Sequence, residues 1–197
     1  PAEWTWLLHN DLGLKTDSEA KTIIAENEFA NAQVSLYSST DIEFNVTDTF
    51  SIPARNWNRK VDQDGNIIDF VDQWHFSGII KEKTPKMRYL AIIQVKPKSG
   101  ASVCEEVIFD EQSKTYSVNG WNITAEMDEL QPAKIEVSNC DGTAAFTSAD
   151  ALEFIGKMYK GTVTGSSKLV EIIDGKTVFK ETVDEVPEAI KKIMERD

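Results

Sequence analysis

The feature that most restricts what this chain can fold into is a pair of long segments whose apolar residues keep to every second position. In the first, Ile42, Phe44, Val46, Phe50 and Ile52 alternate with Glu43, Asn45, Thr47, Thr49 and Ser51. A period of two puts one set on each face of an extended backbone, so the segment describes a strand with one buried and one wet side. Its length calls for a bend or bulge near Asp48. In the second, Ile68, Phe70, Trp74, Phe76 and Ile80 share a parity that is broken at Asp72 and Gly78. Between the two lies Asp62-Gln63-Asp64-Gly65-Asn66, which has the chemistry of a hairpin turn.

Shorter strand candidates follow the same logic: Gln33 to Ser38, Met87 to Lys96, Ser102 to Phe109, Lys114 to Val118, Trp121 to Ala125, Lys134 to Ser138, and Lys168 to Ile173 with Lys176 to Val183 around Asp174-Gly175. Their connectors are short and rich in Gly, Asn, Asp and Ser, so neighbouring strands must mostly pair antiparallel. Helical spacing is confined to the ends. Asp17 can cap Ser18 to Asn27, Ser148 can cap Ala149 to Tyr159, and Val186 to Asp197 groups Ala189, Ile190, Ile193 and Met194. The expected fold is therefore α+β and strand-dominated, a mostly antiparallel barrel or sandwich with short peripheral helices at both ends. Residues 1–141 read as a β-rich body with an N-terminal helix. Residues 142–197 read as a helix-hairpin-helix section packed with it as one domain, since no Pro/Gly/Ser-rich linker intervenes.

Charge narrows the partners. With 33 acidic and 21 basic residues the net charge is -12, and an acidic surface repels phosphate, which argues against general nucleic-acid or anionic-lipid binding. The acidity is uneven: residues 1–100 carry 11 basic and 14 acidic side chains, a balance of -3, and the remainder carry 10 and 19, a balance of -9. No apolar run is long enough for a membrane span. The first residues lack the basic start and apolar stretch of a signal peptide, which leaves localisation open. Cys104 and Cys140 belong to no CxxC pair and read as two thiols, with Cys104 in a strand.

The most unusual stretch is Arg55-Asn56-Trp57-Asn58-Arg59-Lys60, a basic and aromatic island in an acidic chain. If it is extended, Arg55, Trp57 and Arg59 share one face, a combination enriched at binding hot spots. A hairpin register opposing Val61 to Ile67 offers the plainer reading, in which Arg59 pairs with Asp69 across the strands. Asp62 and Asp64 resemble part of a calcium loop, but with Gly65 at the sixth position the first and twelfth are Lys60 and Val71, so a turn is the better reading. His9 and His75 are the whole histidine supply and sit in no recognised catalytic or zinc motif. His75, between Trp74 and Phe76, points to the strand face opposite those aromatics.

Trp4, Trp6 and Leu8 would share a face, either as a sugar-stacking platform or as a terminal segment docked into the core. The acidic pairs Glu105-Glu106, Asp110-Glu111, Asp128-Glu129 and Asp184-Glu185 read as solvated edges and turns. Gly161 to Ser167 lacks the pattern of a phosphate loop.

These features lead to a non-enzymatic interaction or structural module that binds a protein partner or assembles with itself, with Arg55, Trp57 and Arg59 as anchors and with no cofactor, metal or catalytic residue. Such a profile suits a virion component or a secreted protein. The alternative is a carbohydrate-binding or carbohydrate-active domain using exposed Trp and carboxylates.

Overall fold

The computed structural model describes residues 1–49, 61–67, 73–99, 104–162 and 166–182. The chain divides into two compact units, Pro1–Cys104 with Met127–Glu129, and Glu105–Glu126 with Leu130–Asp197.

In the first unit the strands are β1 (Thr5–Asn10), β2 (Leu14–Asp17), β3 (Thr22–Glu26), β4 (Ala30–Ser38), β5 (Ile42–Thr47), β6 (Trp74–Ile80) and β7 (Tyr89–Pro97). They form a three-stranded sheet in the order β1-β6-β5 and a four-stranded sheet in the order β2-β3-β4-β7. Every neighbour is antiparallel. The alternation of the sequence is realised in β5 and β6: Phe44 and Val46 turn inward with Trp74 and Phe76, and β1 adds Trp6 and Leu8 to the same face. Leu14, Ile23, Val34 and Leu36 of the four-stranded sheet complete one apolar cluster with Phe76. Each fully buried aliphatic or aromatic side chain there contributes about 1.5–3 kcal/mol. Gly78 serves this packing, because a Cβ at that position would sit 3.2 Å from Cδ2 of Leu36.

No helix forms at Ser18 to Asn27. Asp17 does act as a cap, accepting from the backbone N–H groups of Glu19 and Ala20 at 3.0 Å each, but what it closes is the turn between β2 and β3. The β-branched run Thr22-Ile23-Ile24 decides the matter: Ile23 is fully buried and Ile24 half-buried on the opposite face, a division that only a strand provides.

The second unit contains β8 (Ile108–Asp110), β9 (Thr115–Val118), β10 (Trp121–Ala125), β11 (Ile135–Asn139), β12 (Ala144–Thr147), β13 (Ala151–Phe154), β14 (Lys157–Lys160), β15 (Ser167–Ile173) and β16 (Lys176–Thr182). Seven of these make an antiparallel sheet in the order β16-β15-β12-β11-β10-β9-β8, and β13 and β14 form a hairpin between β12 and β15 in sequence. Its core groups Ala145, Leu152, Phe154 and Val170, with Tyr159 and Ile172 packed against them. The helix expected at Ala149 to Tyr159 is this β13–β14 hairpin. Ile155 and Gly156 turn it with φ of 49° and 68°, the paired positive angles of a two-residue hairpin loop, and Leu152 and Phe154 are buried together as a period of two requires.

The third expected helix, Val186 to Asp197, lies outside the described residues. The fold is thus strand-rich and antiparallel, with open sheets, none closed into a barrel, and with no helix among the described residues. For the same reason no described helix is long and apolar enough to cross a membrane. The division expected between residues 141 and 142 falls in the turn joining β11 to β12, so strands from both sides of it share one sheet.

Candidate functional site

Arg55, Trp57 and Arg59 lie outside the described residues, as does Asp69. The turn beside them is described. Val61 pairs with Ile67 in the expected register. Oδ1 of Asp62 accepts from the N–H groups of Asp64 and Asn66 at 2.9 Å each, and Oδ2 accepts from the Asn66 side-chain amide at 3.2 Å. The backbone and side-chain hydrogen bonds from Asn66 hold the Asp62 carboxyl below its usual range. A carboxylate used in this way closes a hairpin turn.

Pairing of β1 with β6 brings together the two histidines, 66 positions apart in sequence. His9 stands directly opposite His75, their ring centroids 4.4 Å apart and nearly perpendicular. Both occupy the face opposite Trp6, Leu8, Trp74 and Phe76, as expected for His75. Thr47 of β5 continues the row, and just beyond β1 the Gln73 side chain donates to Oδ1 of Asp11 at 2.9 Å. Trp6 and Leu8 pack against the core cluster, so the terminal aromatics dock as a tied-down segment. Trp4 donates from Nε1 to the Thr84 carbonyl at 3.0 Å, and Ala2 pairs with Thr84.

In the same unit a cavity of about 310 Å³ is lined by Leu12, Gly13, Leu14, Lys15, Ile24, Glu26 and Trp74. Asn10 anchors its rim, donating from its side-chain amide to the carbonyls of Gly13 at 2.7 Å and Glu26 at 2.9 Å. Lys15 reaches Glu26 across the β2–β3 ladder at 2.7 Å, and that hydrogen bond keeps the Glu26 carboxyl low. The result is an apolar hollow with an indole in its wall and one ion pair at its mouth.

The second unit holds a polar cluster that sequence reading did not anticipate. Lys168 is fully buried and donates from Nζ to the Ser166 carbonyl at 2.6 Å. Directly across the β15–β16 ladder stands Glu181, and on the other side, on β12, the fully buried Thr147. The Glu181 carboxylate accepts from the Thr162 backbone at 2.9 Å, from the Thr162 hydroxyl at 2.7 Å and from the Ser166 hydroxyl. With Ser166 fully buried and its hydroxyl directed at a carboxylate, the cluster ties Thr162 and Ser166 to Glu181 of β16 rather than presenting a nucleophile. The signal was available: a two-residue turn at Asp174-Gly175 sets Lys168 opposite Glu181.

Cys104 and Cys140 are both thiols; Cys104 is half-buried, lies outside any strand and donates to the Gln94 carbonyl at 3.7 Å. Glu105, Glu106, Asp110, Glu111 and Asp128 are exposed, and Glu129 is half-buried. Asp110 binds the Gln112 N–H and the Ser113 hydroxyl in a turn. Among the described residues no three His, Cys, Asp or Glu side chains converge on a common point. In comparisons with known proteins, no family model matches the chain and no curated protein matches it.

Proposed function

We propose that the chain is a non-enzymatic interaction or assembly module that binds a protein partner, or a second copy of itself, through a sheet edge. The observation that carries this reading is the outermost strand β7, nine residues long, where the apolar row of the first unit runs out to the surface. Val34 is buried, but its cross-strand partner Ile93 is 57% exposed, and Val95, next on the same face, is 63% exposed. A long edge strand with an apolar face offers backbone hydrogen bonds and side-chain contacts to an added segment. Arg55, Trp57 and Arg59 are proposed as additional anchors near the Asp62 turn.

The mass in solution tests the self-assembling form. Light scattering coupled to size-exclusion chromatography should show the mass rising above 22.1 kDa with concentration, and Ile93→Lys with Val95→Lys should return it to the monomer without lowering the melting temperature. A wild-type chain that stays monomeric throughout sinks self-association. Trp57→Ala should likewise weaken association at constant stability.

A second reading, carbohydrate binding, is favoured by the hollow beside Trp74, where an indole and the carboxylate of Glu26 line one small cavity. Titration with a panel of monosaccharides and short glycans should then shift the tryptophan emission, and Trp74→Leu should remove the shift. An unchanged spectrum across the panel rejects this reading.

A further inference from the structure

We propose that His9 and His75 form a cross-strand chelate for a borderline divalent transition metal ion, Zn²⁺ or Ni²⁺. Three observations lead there. The chain has only two histidines, and the β1–β6 register places them directly opposite each other. Both imidazoles stand on the sheet face turned away from the apolar cluster, with centroids 4.4 Å apart. His9 is exposed on the outermost strand β1, and His75 is half-buried on the central strand β6, so one ligand is fixed and the other can adjust.

The geometry fits this chemistry. Directly opposed residues in an antiparallel pair have Cα atoms about 4.5–5.5 Å apart, close enough for two imidazoles to reach one ion. Metal–nitrogen bonds of about 2.0–2.1 Å in a tetrahedral arrangement hold the two nitrogens roughly 3.3 Å apart and the ring centres roughly 5 Å apart. The present separation must therefore widen by less than an ångström. Nε2 of His75 is screened from solvent, so ion entry requires side-chain rotation at this pair, to which the exposed His9 on its edge strand can contribute.

Imidazole nitrogen selects borderline transition ions over Mg²⁺ and Ca²⁺, whose preference is for oxygen. Since no third His, Cys or carboxylate converges there among the described residues, water completes the coordination. The site is accordingly an open one of modest affinity. Bound to the folded chain alone, the ion locks β1 onto β6 and raises the stability of the first unit by linkage.

Isothermal titration of the untagged chain with ZnCl₂ and with NiCl₂ tests this, with MgCl₂ as the control. The expected result is one ion per chain, a melting temperature that rises with ion concentration, and no heat from Mg²⁺. His9→Ala should weaken binding by about tenfold or more, and His75→Gln should do the same. His9 is exposed on an edge strand, so its replacement should leave the melting temperature of the ion-depleted chain nearly unchanged, which separates loss of a ligand from loss of the fold. Absence of zinc binding tighter than about 1 mM, or wild-type affinity in His9→Ala, overturns the proposal.

Discussion

Truncating Phe76 to alanine should cost the first unit about 3–5 kcal/mol, the range for removing a fully enclosed aromatic side chain. Phe76 is 0% exposed on the central strand of its sheet, and it binds the two layers of side chains together. Its ring meets Phe44 edge-on at 4.9 Å and Trp6 at 6.0 Å, and Ile23, Val34 and Leu36 close over it from the four-stranded sheet. Each edge-to-face aromatic pair adds about 0.5–1.5 kcal/mol to the area buried. The loss should be read by hydrogen exchange in β1, β5 and β6, because a chain with two compact units need not unfold in one step. Phe76→Leu should retain more than half of the stability that alanine loses. Undiminished protection of those strands in Phe76→Ala would show that the cluster is not what holds the three-stranded sheet.

Replacing Gly161 by alanine should destabilise the second unit by about 2–4 kcal/mol, although it adds a single methyl group to a backbone that tolerates one. A Cβ at that position would stand 2.5 Å from Oε1 of Glu181, 2.9 Å from Nζ of Lys168 and closer still to Cε of Lys168. The ends of long side chains ordinarily move aside. Here neither can. Lys168 is fully enclosed with its nitrogen on the Ser166 carbonyl, and the Glu181 carboxylate is held by Thr162 and Ser166. Moving either group breaks a hydrogen bond of the buried Ser166 or Lys168, at about 1–3 kcal/mol each. Denaturant unfolding measures the loss, and a double-mutant cycle identifies its cause: with Lys168→Ala, which makes room, Gly161→Ala should cost much less than it does alone. Equal costs in both backgrounds would place the strain elsewhere.

Sequence carried the architecture wherever pairing is local. The strand Trp121 to Ala125 is found with the expected bounds, and the Val61–Ile67 register follows from the turn chemistry between those residues. It misled where apolar residues happened to fall at helical spacing inside a hairpin. Ala151, Leu152, Ile155, Met158 and Tyr159 make a plausible helical stripe, yet Ile155 and Gly156 are a turn, and only Gly156 gave a hint of it. The His9–His75 pair was out of reach because no local rule specifies which distant strand β1 joins. The Lys168–Glu181 pairing was within reach, since the Asp174-Gly175 turn fixes it, but a fully buried lysine contradicts the usual reading of lysine as a surface residue. The basic and aromatic island at residues 55–60 lies outside the described residues, and only the turn that follows it in sequence is seen.

The connectivity of the two units also sets the order in which the chain can acquire its structure. In the second unit most neighbouring strands in the sheet are consecutive in sequence, and even β12 and β15 are separated only by a hairpin. In the first, Thr5 must find Ile79 and Ala30 must find Pro97 before either sheet is complete. The entropy of closing such loops has to be met before any contact rewards it. A nascent chain therefore exposes Trp6, Leu8 and Phe44 until β6 has been made, whereas the later meander can zip up hairpin by hairpin as it emerges. The interval between those events is when this protein is most open to misassociation.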